Sequence, residues 1–270
     1  MVVFIAFLFV IPSGFIDVNL GGIVLTISTF LFGILAGFYI FVTTTDYNNV
    51  KSLAGSETAG WIWLYNNAAM YDARITEKLV LLIDNYICRA FDYEFIDYAR
   101  STVPEFENIQ KFLREIPAKP GSEILYDKIR DAVNNITLAR QQLAVLGAKA
   151  LSIFEWLILI VLAGIVTATM YGMRTGSLFF DAVTVALAAS LVLVLLLIRE
   201  IDLYMWNEKT FAVDVFESVF IAIGQLPYYP SYLIDVGRVM PEEKEYRVGV
   251  YKDYPRSLER TMEIRRNAKP

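Results

Sequence analysis

The sequence predicts an all-α membrane protein with about four transmembrane helices, a long helical cytosolic stalk and an extended C-terminal tail. Three observations lead there. First, 56% of the 270 residues are hydrophobic, above the roughly 45–50% of ordinary soluble domains. Second, the excess collects in four runs, Met1–Ile11, Ile23–Val42, Ile153–Tyr171 and Ala182–Ile198, while the rest has ordinary polar composition. A span needs about 20 apolar residues to cross the hydrocarbon layer. Third, the cations are sorted: 12 of the 24 Lys and Arg lie between Thr43 and Ser152 and 11 from Arg199 onward, leaving only Arg174 in a short linker.

Basic flanks mark the cytoplasmic side. Both long segments are therefore expected in the cytoplasm, and the linkers "PSGFIDVNLGG" and "GMRTGSL" outside. An even number of spans follows, with both termini inside and the chain in the cell membrane. The expected organisation is a first membrane hairpin over 1–45, a stalk over 46–151, a second hairpin over 152–198, and a cytosolic helix with a Tyr- and Pro-rich tail over 199–270. Met1–Ile11 is the shortest run. Eleven residues rise only about 16 Å, and Pro12 follows. Three spans and a half-span are the alternative to four.

The stalk reads as helix. Between Trp61 and Ala90 apolar residues recur in steps of three and four, at Trp61, Leu64, Tyr65, Ala68, Ile75, Leu79, Leu82, Ile83, Tyr86 and Ile87, as one face of a long helix. "STVPEFENIQKFLREI" opens with Thr102 and Glu105 in capping-box register, with Pro104 in the first turn. It stops at Pro117, Pro120 and Gly121. Ser122 then caps a second long helix that is expected to run unbroken into the third span. In the tail, helix is expected to Ile223, with Leu203, Trp206, Phe211, Val215, Val219 and Ala222 along one side. Gly224 and "LPYYP" end it. "EYRVGVY" alternates and can add a strand or lie along a groove. The tail is expected to wrap the stalk and cover its apolar seams.

The sequence also excludes chemistry. It has no histidine and one cysteine, Cys88. No disulfide can form within the chain, and Cys/His zinc sites and His-based catalysis are ruled out. Cys88 reads as a small buried helix residue. No catalytic residue, metal or cofactor is assigned, and the chain is not expected to be an enzyme. The stalk has 12 basic and 14 acidic residues, which gives no basic stripe for a nucleic acid.

Three stretches carry a resemblance. "LFGILAGFYIFVTTTDYNNVKSLAGSETAGWIWLYNNA" joins a small-residue span to a Glu-containing helix. "LARQQLAVLGAKALSIFEWLILIVLAG" joins a long helix to the third span. "DLYMWNEKTFAVDVFESVFIAIGQLPYYP" with "YRVGVYKDYP" forms the tail. This layout resembles the bestrophin-like domain family of prokaryotic membrane proteins over most of the chain. True bestrophins are pentameric anion channels with a neck of stacked apolar rings and a calcium clasp. The resemblance thus implies an oligomeric channel build, while no acidic cluster here maps onto the clasp.

The candidate sites are these. Gly33 and Gly37 have the spacing that lets two helix backbones approach closely. Phe30, Ile34, Phe38 and Val42 lie one turn apart on a single stripe. In a symmetric oligomer that stripe stacks apolar rings into a gate that closes by dewetting; lipid contact or packing between subunits is the other reading. Thr43, Thr44, Thr45 and Asp46 follow at the expected cytoplasmic mouth, where hydroxyls either replace hydration or cap a following segment. Glu57 is expected to pair with Arg140 across the stalk, or else to stand as a carboxylate in a vestibule. Glu155 stays near the interface beside Trp156, an interfacial belt residue. Arg174, alone outside, gives one positive charge per subunit that favours anions. The long apolar helix faces favour a homo-oligomer in a lipid bilayer. The expected function is a bestrophin-like anion channel. The alternative is a non-conducting scaffold or sensor whose stalk and tail bind partner proteins.

Overall fold

A computed structural model describes residues 8, 12–93, 97–146, 151–202, 208–237 and 239–267. The chain forms two compact units, Met1–Tyr47 with Ala150–Trp206 and Asn48–Lys149 with Asn207–Pro270. Among the described residues the elements are α1 Val18–Tyr71, α2 Ala73–Ala90, α3 Tyr98–Ser101, α4 Val103–Arg114, α5 Glu123–Leu146, α6 Ile153–Gly172, α7 Leu178–Asp202, α8 Glu208–Ala222, β1 Tyr228–Pro230, α9 Ser231–Asp235, β2 Glu245–Tyr251 and β3 Arg260–Arg266.

The first unit holds the apolar helices. Three described helices, α1, α6 and α7, are long and apolar enough to cross a membrane. The twenty residues of α6 rise about 30 Å, the thickness of the hydrocarbon layer. Met1–Ile11, the expected first span, lies outside the described residues except for Leu8. Asp17 starts α1 by accepting from the amides of Asn19 at 3.0 Å and Leu20 at 3.1 Å, which satisfies two of its orphan donors. The core of this unit joins Phe32, Ala36 and Tyr39 of α1 to Leu159 and Ala163 of α6 and Ile198 of α7. Gly172 receives the side chain of Ile16, which a Cβ would displace. At the other end of α7, Asp202 accepts from the Leu151 amide at 2.8 Å and the Trp156 indole at 3.4 Å.

The second long stalk helix does not run unbroken into the third span. α5 is described as far as Leu146, and Ser152, just before α6, breaks the helix with an extended backbone at φ −63° and ψ 154°. Ser152 and Glu155 form a reciprocal capping box. That arrangement satisfies the first amides of α6 and makes a fresh helix start more favourable than continuation.

The second unit packs the distal part of α1 with α2–α5. The expected single face from Trp61 to Ala90 is carried by two helices. α1 ends at Tyr71, and Asp72 turns the chain and caps α2 by accepting from the Arg74 amide at 2.8 Å. Most of the expected face lies inside: Trp61, Leu64, Ala68, Leu79, Ile83, Tyr86 and Ile87 are fully buried, while Tyr65, Ile75 and Leu82 are half-buried. The returning loop is pinned by Tyr71, whose hydroxyl donates to the Pro117 carbonyl at 2.6 Å and accepts from the Lys119 amide at 2.9 Å.

The fold is therefore mostly helical but not all-α. The tail carries a three-stranded sheet in the order β1-β2-β3. β1 pairs parallel to β2 with Tyr228 opposite Arg247, and β2 pairs antiparallel to β3 with Gly249 opposite Met262. Period-two burial along β2, with Tyr246 and Val248 inside, explains why this stretch is strand rather than an extended arm. Gly224, at φ +72°, ends the preceding helix. Its amide reaches Ile221 O at 3.1 Å, and the Gln225 amide reaches Phe220 O at 2.9 Å. Among the described side chains, Val213, Phe216, Val219 and Phe220 of α8 and Ile223 just after it are buried. Of the expected side, Val215 and Ala222 are half-buried, and Leu203, Trp206 and the Phe211 side chain lie outside the described residues.

Candidate functional site

The first candidate is one side of α1. Its buried stripe, Phe32, Ala36 and Tyr39, faces α6 and α7. The opposite side carries Phe30, Ile34 and Phe38, exposed by 67%, 53% and 57%. Phe41 continues this exposed side, and Val42, the last expected member, is half-buried. Thr45 lies one turn beyond Phe41 and is exposed; Asp46 is half-buried.

Gly33 and Gly37 sit on this same open side, and a Cβ on either meets nothing within 4 Å. Among the described residues they press against no helix. Close backbone approaches are made elsewhere, among them Gly21 against Met173, Gly172 against Ile16, Gly60 against Ile136 and Gly249 against Tyr228. The threonines do not cap a following segment, because α1 continues past them. Thr43 donates to Tyr39 O at 2.7 Å and Thr45 to Phe41 O at 2.8 Å. Their hydroxyl protons are engaged one turn back, which leaves only the oxygen lone pairs for anything outside. An anion would meet no free hydroxyl donor from these two residues.

Arg174 corrects a second expectation. It is not a free outer charge but is buried, with 6% of its surface exposed. Its guanidinium donates to Tyr171 O at 3.1 Å and Leu8 O at 3.0 Å, and lies 3.6 Å from Asp181 Oδ1. The charge is balanced locally and fixes the turn between α6 and α7. Its partner Asp181 falls within the apolar stretch "SLFFDAV", where residue counting alone sees only an isolated acid.

The densest polar cluster lies in the second unit, around Glu57. The Glu57 carboxylate is buried at 1% exposure. Oε1 accepts from the Trp61 indole at 3.2 Å and the Tyr86 hydroxyl at 2.5 Å, and Oε2 from the Tyr98 hydroxyl at 2.6 Å. Arg140 Nη1 lies 3.7 Å from Oε1. Arg140 also donates to the Thr102 hydroxyl at 3.1 Å, to Ala99 O at 2.7 Å, and to the Tyr86 hydroxyl. Its guanidinium stacks on the rings of Tyr86 and Phe106 at 4.8 and 4.6 Å. Both carboxylate oxygens and both terminal guanidinium nitrogens thus have partners in a dry interior, as a buried ion pair requires. Burial first, and the Glu57 charge second, push the Tyr86 and Tyr98 hydroxyls well above the ordinary tyrosine range, so both remain donors. The arrangement leaves no open vestibule at Glu57. It ties α1 to α2, α3 and α5.

This cluster also explains why the expected capping box of α4 does not form. Thr102 makes no side-chain cap. Its hydroxyl donates to Tyr98 O at 2.7 Å and accepts from Arg140. Glu105 instead lies 3.5 Å from Arg89.

A second pair of anchors escapes sequence reasoning. Arg247 of β2 holds Asp84 of α2 through two bonds, at 2.9 and 2.5 Å. Asp92, 2% exposed, takes Arg89 at 3.0 Å together with Arg260 and the Tyr251 hydroxyl. The Tyr232 hydroxyl donates to Phe91 O at 3.0 Å. These bonds fasten the sheet to the end of α2. The only signal in the sequence was the run of inward-phase residues in "EYRVGVY", which does not name a partner. Among the described residues no group of His, Cys, Asp and Glu is placed to hold a metal ion.

Comparison with known proteins gives one match. A family model described as Bestrophin-like domain covers residues 2–203. No curated protein and no solved structure matches the chain.

Proposed function

The chain belongs to the bestrophin-like domain family, and from that membership we propose that it forms a homo-oligomeric channel of the cell membrane that passes anions. The observation that carries this reading is the exposed stripe Phe30, Ile34 and Phe38 on α1, opposite the side that packs on α6 and α7. Copies arranged around an axis would stack these side chains as apolar rings, a constriction that opens and closes by wetting and dewetting. Gly33 and Gly37, where an added Cβ would meet nothing within 4 Å among the described residues, flatten the same side and allow neighbouring copies to come close. By the distribution of Lys and Arg, the second unit and both termini face the cytoplasm. With Arg174 neutralised by Asp181, anion preference in this reading does not come from an outer ring of arginines.

The test is electrical. Purified oligomers in planar bilayers should give discrete currents carried by anions, and Phe38→Ala should change their amplitude or open probability. Silent bilayers from verified oligomers would overturn the reading.

The second reading is a non-conducting scaffold whose stalk and tail bind partners. Met262 and Ile264 support it, since they stand 49% and 66% exposed on β3 at the sheet edge. Under that reading, charge substitution at both positions releases a co-purifying protein and leaves the oligomer intact.

A further inference from the structure

A cavity of about 270 Å³ lies between α4 and α5 in the second unit. It belongs neither to the α1 stripe nor to the Glu57 cluster. Leu113 of α4 and Ile129 and Val133 of α5 form its apolar lining. Ile129 is 2% exposed and Leu113 7%, so the floor is part of the packed core and is preformed.

The rim is basic. Arg114 closes the cavity from α4 and Arg130 from α5. Among the described residues neither makes an ion pair, although Asp127 stands one turn before Arg130. Arg114 uses only its Nε internally, on Gln110 O at 3.3 Å, so its terminal nitrogens keep their donors for a ligand. Gln110 is itself held, donating to the Thr137 hydroxyl at 3.2 Å, and its amide oxygen remains available on the wall. Asn134 and Tyr126 complete the rim. The spacing explains the convergence. Tyr126, Ile129, Arg130, Val133 and Asn134 recur at three and four along α5, and Gln110, Leu113 and Arg114 do the same along α4, so two helix stripes face each other.

An apolar pocket with a few convergent polar groups is the usual form of a small-molecule site. Two guanidiniums select an anion, and their planar forks fit a carboxylate. The apolar floor asks for a hydrocarbon body, which inorganic phosphate lacks. A cavity of this size with two cations at its rim fits a short soluble acid. We propose that this cavity binds a short aliphatic carboxylate, with Arg114 and Arg130 holding the anionic end and Leu113, Ile129 and Val133 the chain.

The test is titration of the full-length protein in lipid nanodiscs with carboxyl-labelled hexanoate, observed by carbon NMR, with empty nanodiscs subtracted. Saturable binding of one hexanoate per chain at millimolar concentration is expected. Arg114→Gln with Arg130→Gln should weaken it by about tenfold or more. Val133→Trp, which fills the cavity and keeps both charges, should remove it with the melting temperature preserved. Neither hexan-1-ol nor inorganic phosphate should displace the acid. Absence of saturable binding, equal binding by the double arginine variant or by Val133→Trp, or displacement by hexan-1-ol would each overturn the proposal. Channel currents play no part in the readout, so its failure and that of the channel reading are separable.

Discussion

The Tyr98 hydroxyl lies 2.6 Å from Glu57 Oε2 and joins two residues 41 positions apart through a buried carboxylate. Arg140, on a third helix, completes the charge balance. Removing either charge leaves the other unpaired in a dry interior, which costs about 3–5 kcal/mol. Glu57→Gln and Arg140→Met should each lower unfolding stability by that order. The double variant should lose less than the sum, with a coupling of about 0.5–3 kcal/mol. Denaturant unfolding of the three variants measures it, and strict additivity would remove the pair from the account of stability.

Alkaline pH should act through the same cluster. Burial, and then the Glu57 charge, raises the ionisation of Tyr86 and Tyr98 well above its unfolded value. A raised folded value means the folded state holds the proton more tightly. The stabilisation is therefore complete below about pH 10, the unfolded tyrosine value, and is lost as pH climbs above it. Ultraviolet difference spectra should show a set of tyrosines that ionise only as the protein unfolds. In Tyr86→Phe with Tyr98→Phe that set should shrink, while the tyrosines Tyr228 and Tyr251, raised chiefly by burial, keep part of it.

Two glycines on α1 should respond to the same substitution with opposite sign. Gly55 is exposed and has space for a Cβ, so Gly55→Ala should stabilise the helix by about 0.5–1 kcal/mol. Gly60 is buried, and a Cβ there would meet Ile136 Cγ1 at 2.6 Å. Gly60→Ala should destabilise by about 1–3 kcal/mol through overpacking. Thermal unfolding of the pair decides it, since equal shifts would contradict the close approach of α1 and α5.

Gly37→Leu separates folding from assembly. The site is open among the described residues of one chain, so helix content should be unchanged. In the proposed oligomer this side faces other copies, and Leu should shift the protein to smaller species in size-exclusion chromatography with light scattering. An unchanged oligomer that still conducts would place this side against lipid.

Cys88 should report unfolding. Burial, with the Asp84 charge adding to it, pushes its thiol up to about 12. Almost no thiolate exists near neutrality, and the thiolate is the reactive species. Maleimide labelling of the folded protein should be slow and should accelerate with denaturant along the unfolding curve.

Legibility in the sequence followed the range of the interaction. Hydropathy marked α1, α6 and α7, because a span is a local property of about 20 residues. Gly224 marked a helix end for the same reason. Glu57 and Arg140 stood out because long helices bring isolated charges onto shared faces. The break at Asp72 was hidden, since the apolar steps of three and four continue through it. The capping box at Thr102 was misread because a local pattern lost to Arg140, 38 positions away. The burial of Arg174, the sheet anchors at Asp84 and Asp92, and the rim formed by Arg114 and Arg130 depend on partners that no local periodicity names.

Asp92 sets an order of events during synthesis. The second unit is built from two stretches of chain, and the carboxylate is paired with Arg260, 168 residues later. At ribosomal speed that separation is roughly 8–34 s. Through this interval the end of α2 carries a carboxylate that lacks its distant cation, and Phe91 lacks the Phe216 and Tyr228 rings that pack on it. A nascent chain in that state presents the kind of surface that chaperones hold and proteases cut. Loss of even the last strand would therefore be felt first as reduced yield, before any defect in the finished protein could be seen.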